Sequence, residues 1–202
     1  MGIMWTSLPN LLTLSRIVVI PAFCLSFWLP GAWGAWVPLA LFAAAGLTDW
    51  ADGYAARRWG PVSDVGRFLD PVADKLLVAA ALLMLVAVDR IEGASVLAAV
   101  VILCREIMVT GLREFLAEVR VKVPVSRMAK WKTTAQILAL GFLIGGKAGP
   151  DWLHGHEIGV VSLWIAALLT LYTGYDYLTT GLKHMDAPAD PPEREPAKRA
   201  PS

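Results

Sequence analysis

Four carboxylates, Asp49, Asp52, Asp70 and Asp74, fall in one short stretch of a chain that is otherwise strongly apolar. The stretch reads Asp49-Trp-Ala-Asp52-Gly53-Tyr-Ala-Ala56-Arg57, then eight residues to Gly66, three to Asp70 and three to Asp74. Like charges crowded beside hydrocarbon raise one another's energy unless a cation joins them. Oxygen ligands without His or Cys suit a hard ion, Mg2+ or Mn2+ rather than zinc. Magnesium leaves part of its shell to water and substrate phosphates, which points to phosphoryl chemistry. On a helix, Asp49, Asp52, Gly53 and Ala56 share one face, so a bulky ligand can approach the backbone beside two carboxylates. Arg57 lies at the edge of that face, within reach of a phosphate. Asp70 and Asp74, four apart, project together if their segment is helical. Asp70-Pro71 has another reading, in which Asp70 caps the helix and Pro71 occupies its first turn. Gly53 and Gly66 allow the two helix ends to pack closely. One or two of these acids could instead cap helices or pair with Arg57, Arg58, Arg67 and Lys75; four at these offsets favour a cation.

Basic residues supply a second constellation. Arg105 and Glu106 lie well inside a later apolar segment, where each charge costs about 2.5–3.5 kcal/mol on insertion scales. Glu106, Thr110 and Arg113 fall on one helical face. With Lys75 and the Lys130–Lys132 pair, that face can form a cationic pocket for a phosphorylated alcohol, Arg by forked contacts and Lys as a point charge. The competing reading pairs Arg105 or Arg113 with Glu106 or Glu114 and locks helices together. His154, His156 and His184 lie in or beside connections, away from the acids, and read as incidental.

The elements that must position these groups are membrane helices. The chain has 202 residues, 56% of them apolar and 17% charged, with a mean hydropathy of +0.56. That is too oily for a soluble domain of this size. A formal net charge of +1 gives no field to attract nucleic acid. Cys24 and Cys104 sit inside apolar segments and read as buried hydrophobes, not a disulfide. Six segments approach the ~20 residues that cross a bilayer core, over about 10–29, 36–58, 69–88, 94–116, 128–145 and 158–182. A polar connection over 59–67 separates the second and third, with Gly60-Pro61 as the break. The connections 89–93 and 146–157 carry only Arg90 and Lys147, whereas Arg57, Arg58, Arg67, Arg120, Lys122, Arg127, Lys130, Lys132 and Lys183 lie at the other ends. The basic side faces the cytoplasm, so both termini and the aspartates are expected there. Residues 1–185 form the helical domain. Residues 186–202, Pro-rich and lacking large apolar groups, are expected to be a disordered cytoplasmic tail. Trp5, Trp28, Trp33, Trp59 and Trp152 near span ends read as an aromatic belt.

The acidic string matches D-x2-D-G-x2-A-R-x8-G-x3-D-x3-D without departure, and in this the chain resembles the CDP-alcohol phosphatidyltransferases. The resemblance implies an all-α integral membrane fold of six transmembrane helices with the active site at the cytoplasmic surface. It implies that Asp49, Asp52 and Asp70 hold a divalent metal and the pyrophosphate of a CDP-linked lipid. Asp74 would be the general base and touch metal as well. Asn10, Thr13, Gly53, Ala56, Arg57 and Gly66 would join Asp49 and Asp52 around the CDP group. Further blocks, Pro9-Asn10-Leu-Leu-Thr13-Leu-Ser-Arg16, Asp70-Pro71-Val-Ala-Asp74-Lys75, Arg105-Glu106 through Arg113-Glu114 and Lys130-Trp-Lys132-Thr133-Thr134-Ala-Gln136, resemble the bacterial members that use glycerol 3-phosphate. This extends the likeness over about 4–177. It implies CDP-diacylglycerol as donor, phospholipid biosynthesis and the bacterial inner membrane; together with the cationic cluster of Lys75, Arg105, Arg113 and Lys132 it points to glycerol 3-phosphate as acceptor, and a homodimer is an assembly the sequence leaves open. Inositol phosphate or serine are the acceptors of sibling enzymes. A divalent-cation transporter is the reading from another class, but it would place acids near the bilayer midplane along a polar path.

Overall fold

A computed structural model of the chain describes residues 8–59, 64–118, 128–149 and 154–185; within these helices the side chains of residues 8–14, 16, 49–59, 64–68, 70, 118, 128–130, 147 and 180–185 are outside the description. The described residues form six α-helices and no strand: α1 Leu8–Ser26, α2 Trp33–Trp59, α3 Asp64–Ala87, α4 Ser95–Glu118, α5 Met128–Gly145 and α6 Gly155–Met185. A 3-10 turn, Gly146–Ala148, follows α5. The proposed tail over 186–202 lies outside the described residues.

α5 has the bounds that hydropathy gives, whereas α3 begins five residues before the expected span. Hydropathy marks where a helix meets hydrocarbon, not where it stops, and Asp64–Arg67 continue α3 as polar turns. The capping alternative for Asp70 therefore fails: Pro71 lies well inside α3. The missing N–H of Pro71 removes one hydrogen bond, to the carbonyl four residues earlier. Pro21 and Pro38 are likewise carried inside α1 and α2, as apolar membrane-type helices tolerate.

The chain reverses after α3 through Asp89, whose φ of 53° is left-handed, a conformation aspartate tolerates better than most residues. The Arg90 N–H reaches back to the Leu85 carbonyl at 2.9 Å. This turn throws the Arg90 side chain over the bundle end. Its guanidinium donates to the carbonyls of Ile144, at the end of α5, and Gly34, at the start of α2, the latter at 2.9 Å. It also lies 5.6 Å above the Phe27 ring, just past α1. One side chain thus identifies the helix ends that meet: the ends of α1, α3 and α5 and the start of α2. Consecutive helices run up and down, and the start of α1, the end of α2, the start of α3 and the end of α6 fall at the opposite end.

The interior is apolar and close-packed. Phe23 meets Phe27 edge-on with centroids 5.1 Å apart, and Leu82, Leu85, Ile102, Leu140, Leu143, Ile144 and Leu163 are fully buried. Among the described residues α5 and α6 make the most extensive helix contact; Gly159 of α6 lies directly against Leu143 of α5, and Ala166 and Ala167 of α6 are buried in the same core, the small-residue packing expected where helices associate without a hydrophobic drive. Among the described residues, Ser95–Ala117 and Gly155–Thr179 are each long and apolar enough to cross a bilayer. Only 22% of the most apolar part of α4 is buried, far less than the core helix of a water-soluble domain would hide. Leu97, Val100 and Ile107 on α4, and Val161, Ile165, Leu168 and Leu171 on α6, face outward. Such a continuous apolar exterior suits lipid.

Candidate active site

Because α2 and α3 run in opposite directions, their aspartates come level. Asp52 lies seven residues before the end of α2 and Asp70 six after the start of α3, about 10 Å along each axis at 1.5 Å per residue. Asp49 and Asp74 are each ten residues from the same ends, about 15 Å along. Gly53, Ala56 and Arg57 continue α2 toward that end, Gly66 lies on the first turns of α3, and Asn10 and Thr13 lie near the start of α1. The side chains of Asp49, Asp52, Arg57, Asp70, Asn10 and Thr13 are outside the description, so the structure supplies their helix positions and not their contacts.

Asp74 is described, and it borders a groove of about 1100 Å3 walled mainly by α2, α3 and α5. One end of the groove is polar, with Asp74, Lys75, Glu106, Lys132 and Gln136. Its middle is apolar, with Leu39, Phe42 and Gly46 of α2, Leu77 of α3, and Ile137, Leu140 and Gly141 of α5. Its far end reaches His154, His156 and Glu157 at the start of α6. The groove therefore joins a charged mouth to an apolar trough that follows the helices toward the Arg90 end. A ligand with a phosphorylated head and hydrocarbon tails matches both parts.

At the mouth, Lys132 is almost completely buried and its ammonium donates to Glu106 Oε1. Arg105 Nη1 donates to the same oxygen at 3.4 Å, and Arg105 Nη2 donates to Thr173 Oγ1 at 2.8 Å. Thr173 passes its own proton to the Leu169 carbonyl at 2.8 Å. The stem of Arg105 crosses α6 at Gly174, where a Cβ would stand 3.0 Å from Arg105 Cγ. Thr110 is spent locally, its hydroxyl donating to the Glu106 carbonyl at 2.7 Å. Arg113 lies 5.9 Å from the centroid of the Tyr177 ring.

The structure thus brings Asp74, Lys75 and Lys132 to one mouth. Arg105 stands behind Glu106, and neither it nor Arg113 lines the groove; the reading in which Arg105 pairs with Glu106 describes its contacts. Sequence reasoning missed Gln136 as a wall residue, Thr173 as the anchor of Arg105, and the two histidines as the far limit of the groove. Helical spacing from Lys132 could have found Gln136, one turn along the same face of α5. Thr173, a distant residue on another helix, left no local signal.

Among the described residues, no three His, Cys, Asp or Glu side chains converge into a metal-binding group; three of the four aspartates are not among those side chains. As a donor set the four fit a hard divalent ion, being all-oxygen and carried at similar distances from the end of α2 and the start of α3.

A family model described as CDP-alcohol phosphatidyltransferase matches residues 6–172. Among curated relatives, the chain is 44% identical to the CDP-diacylglycerol–glycerol-3-phosphate 3-phosphatidyltransferase of Rickettsia felis over 178 residues, covering 88% of this chain and 97% of the relative. It is 42% identical to the protein of the same name from Yersinia enterocolitica, covering 92% of this chain and 100% of the relative. The Haemophilus influenzae protein of that name is 40% identical, with 85% and 91% covered.

Proposed function

Since the chain belongs to the CDP-alcohol phosphatidyltransferase family, we propose that it transfers the phosphatidyl group of CDP-diacylglycerol to glycerol 3-phosphate, giving phosphatidylglycerophosphate and CMP. The observation that carries this reading is the groove, whose charged mouth at Asp74 and Lys132 continues into an apolar trough. The mouth suits two phosphate-bearing groups and the trough suits an acyl chain. The acceptor follows from the relatives, named for glycerol 3-phosphate as substrate.

In the proposed chemistry the primary hydroxyl of glycerol 3-phosphate attacks the β-phosphorus of CDP-diacylglycerol. The new O–P bond forms as the bond from that phosphorus to the bridging oxygen breaks, and CMP leaves with the bridging oxygen. Asp74 accepts the hydroxyl proton. Lys75 and Lys132 oppose the acceptor phosphate at the mouth, with Arg105 and Arg113 adding positive potential behind them. Asn10, Thr13, Gly53, Ala56, Arg57 and Gly66 surround the CDP group at the same end of the bundle. Divalent-cation dependence goes with the family; Asp49, Asp52, Asp70 and Asp74 would hold the ion, Mg2+ or Mn2+, which supplies charge neutralisation to the pyrophosphate.

The six helices span the bacterial inner membrane in this reading, with both termini and the aspartate end cytoplasmic. The up-and-down course of the helices and the basic residues at that end support it. Three acceptors, glycerol 3-phosphate, inositol phosphate and serine, offered in turn to the purified protein with CDP-diacylglycerol and Mg2+, should give CMP with the first. Silence with all three, or turnover indifferent to chelator, overturns the reading. Mn2+ binding followed by electron paramagnetic resonance should be lost in Asp49→Asn and Asp52→Asn, and retained binding removes those carboxylates from the metal site.

A further inference from the structure

A carboxylate at the mouth of a pocket for a phosphate is electrostatically the wrong sign, yet Glu106 borders the groove beside Lys132. Its contacts explain the placement. Glu106 Oε1 accepts from the Lys132 ammonium and from Arg105 Nη1, so one oxygen is shared by two cations. Lys132 and Arg105 are nearly buried, with side-chain exposures of 8% and 11%, while Glu106 keeps 19%. Arg105 is fixed from behind by Thr173 and by its passage across Gly174. A free lysine has several rotatable bonds and no preferred direction; one held by a half-buried carboxylate presents its charge at one place. The triad retains a unit of positive charge, so it still attracts an anion.

We propose that Glu106 is a positioning residue for the acceptor phosphate. It holds the Lys132 ammonium at the groove wall, braced by Arg105 and Thr173, and so sets the reach between that charge and Asp74. An alcohol is then used only when its phosphate and its attacking hydroxyl span this reach. The assignment rests on the phosphatidyl-transfer reading above and adds to it the residue that selects the acceptor.

CMP release by the full-length protein, with each substrate varied in turn, tests it. Loss of one charge-assisted contact costs up to about 1.5–3 kcal/mol, so Glu106→Gln should raise the KM for glycerol 3-phosphate roughly tenfold or more. The KM for CDP-diacylglycerol should stay within about twofold, since the trough is untouched. In a Lys132→Met background, Glu106→Gln should add less than about twofold, because the group it positions is gone. Equal rises in both KM values, or effects that multiply in the double variant, overturn the proposal. If the Gln variant does not stay folded, Glu106→Asp decides, because its shorter carboxylate keeps the charge and draws Lys132 back. A raised acceptor KM with donor KM unchanged supports the proposal, and an unchanged acceptor KM refutes it. Wild-type protein that releases no CMP with glycerol 3-phosphate overturns the underlying reading, and the proposal with it.

Discussion

Replacing Arg90 with Met should loosen the bundle without touching its chemistry. The substitution keeps an unbranched apolar stem but removes the guanidinium donors to Ile144 and Gly34 and the cation over Phe27. A hydrogen bond from a charged donor contributes about 1.5–3 kcal/mol, and a partly exposed cation–π contact about 0.5–1 kcal/mol. Both carbonyls lie at helix ends, where water can replace part of what is lost, so the net cost should be about 2–4 kcal/mol. At ~2–4 °C per kcal/mol for a chain of this size, the melting temperature should fall by roughly 5–15 °C. Thermal unfolding in detergent, followed by far-ultraviolet circular dichroism, measures this directly. Arg90→Lys should fall in between, since a single ammonium cannot reach carbonyls on two helices in a forked arrangement. CMP release per folded molecule should hardly change, because Arg90 sits at the end opposite Asp74. A melting temperature within about 1 °C of wild type would refute the clamp; lost turnover with unchanged stability would refute its separation from the site.

Asp74→Asn should keep nucleotide binding and lose turnover, and near-normal CMP release would remove Asp74 from the base role. Gly141 lines the trough and faces open space where a Cβ would stand, so Gly141→Phe should project its ring into the trough. A several-fold rise in the KM for CDP-diacylglycerol, with little change for the acceptor, is expected; unchanged donor kinetics would deny the trough to the lipid. At Gly159 a Cβ would lie 2.8 Å from Leu143 Cγ and 3.1 Å from its backbone nitrogen. Gly159→Ala should therefore push α5 from α6 at a cost of about 1–3 kcal/mol, read as a lower melting temperature.

The course of the helices could be read from hydropathy because membrane helices announce themselves by composition, and α5 agrees at both ends. The start of α3 could not, since Asp64–Arg67 are helical yet polar. Arg90 shows the deeper limit. As sequence it is a lone cation on a sparsely charged side, and its role exists only because carbonyls 54 and 56 residues away come to it. At the site, fixed offsets made the aspartates conspicuous, since a metal site demands particular atoms on particular turns. The cationic cluster was visible as residue types, but the division between Lys132 at the wall and Arg105 behind it depends on how α4, α5 and α6 pack.

From Trp33 to Thr48 the sequence of α2 carries no charged residue, and Asp49 is the first. At 1.5 Å per residue this stretch covers about 24 Å, some 6 Å less than a typical hydrocarbon core of about 30 Å. In a bundle that spans the bilayer as proposed, the membrane must thin locally or the first aspartate must sit below the head-group plane, in a dent open to water. A lipid donor then reacts at the depth where it already resides, and the water-soluble acceptor makes the descent. Bilayer thickness becomes a variable of the reaction: thinner membranes meet the short helix without deformation, and thicker ones oppose the dent that the chemistry occupies.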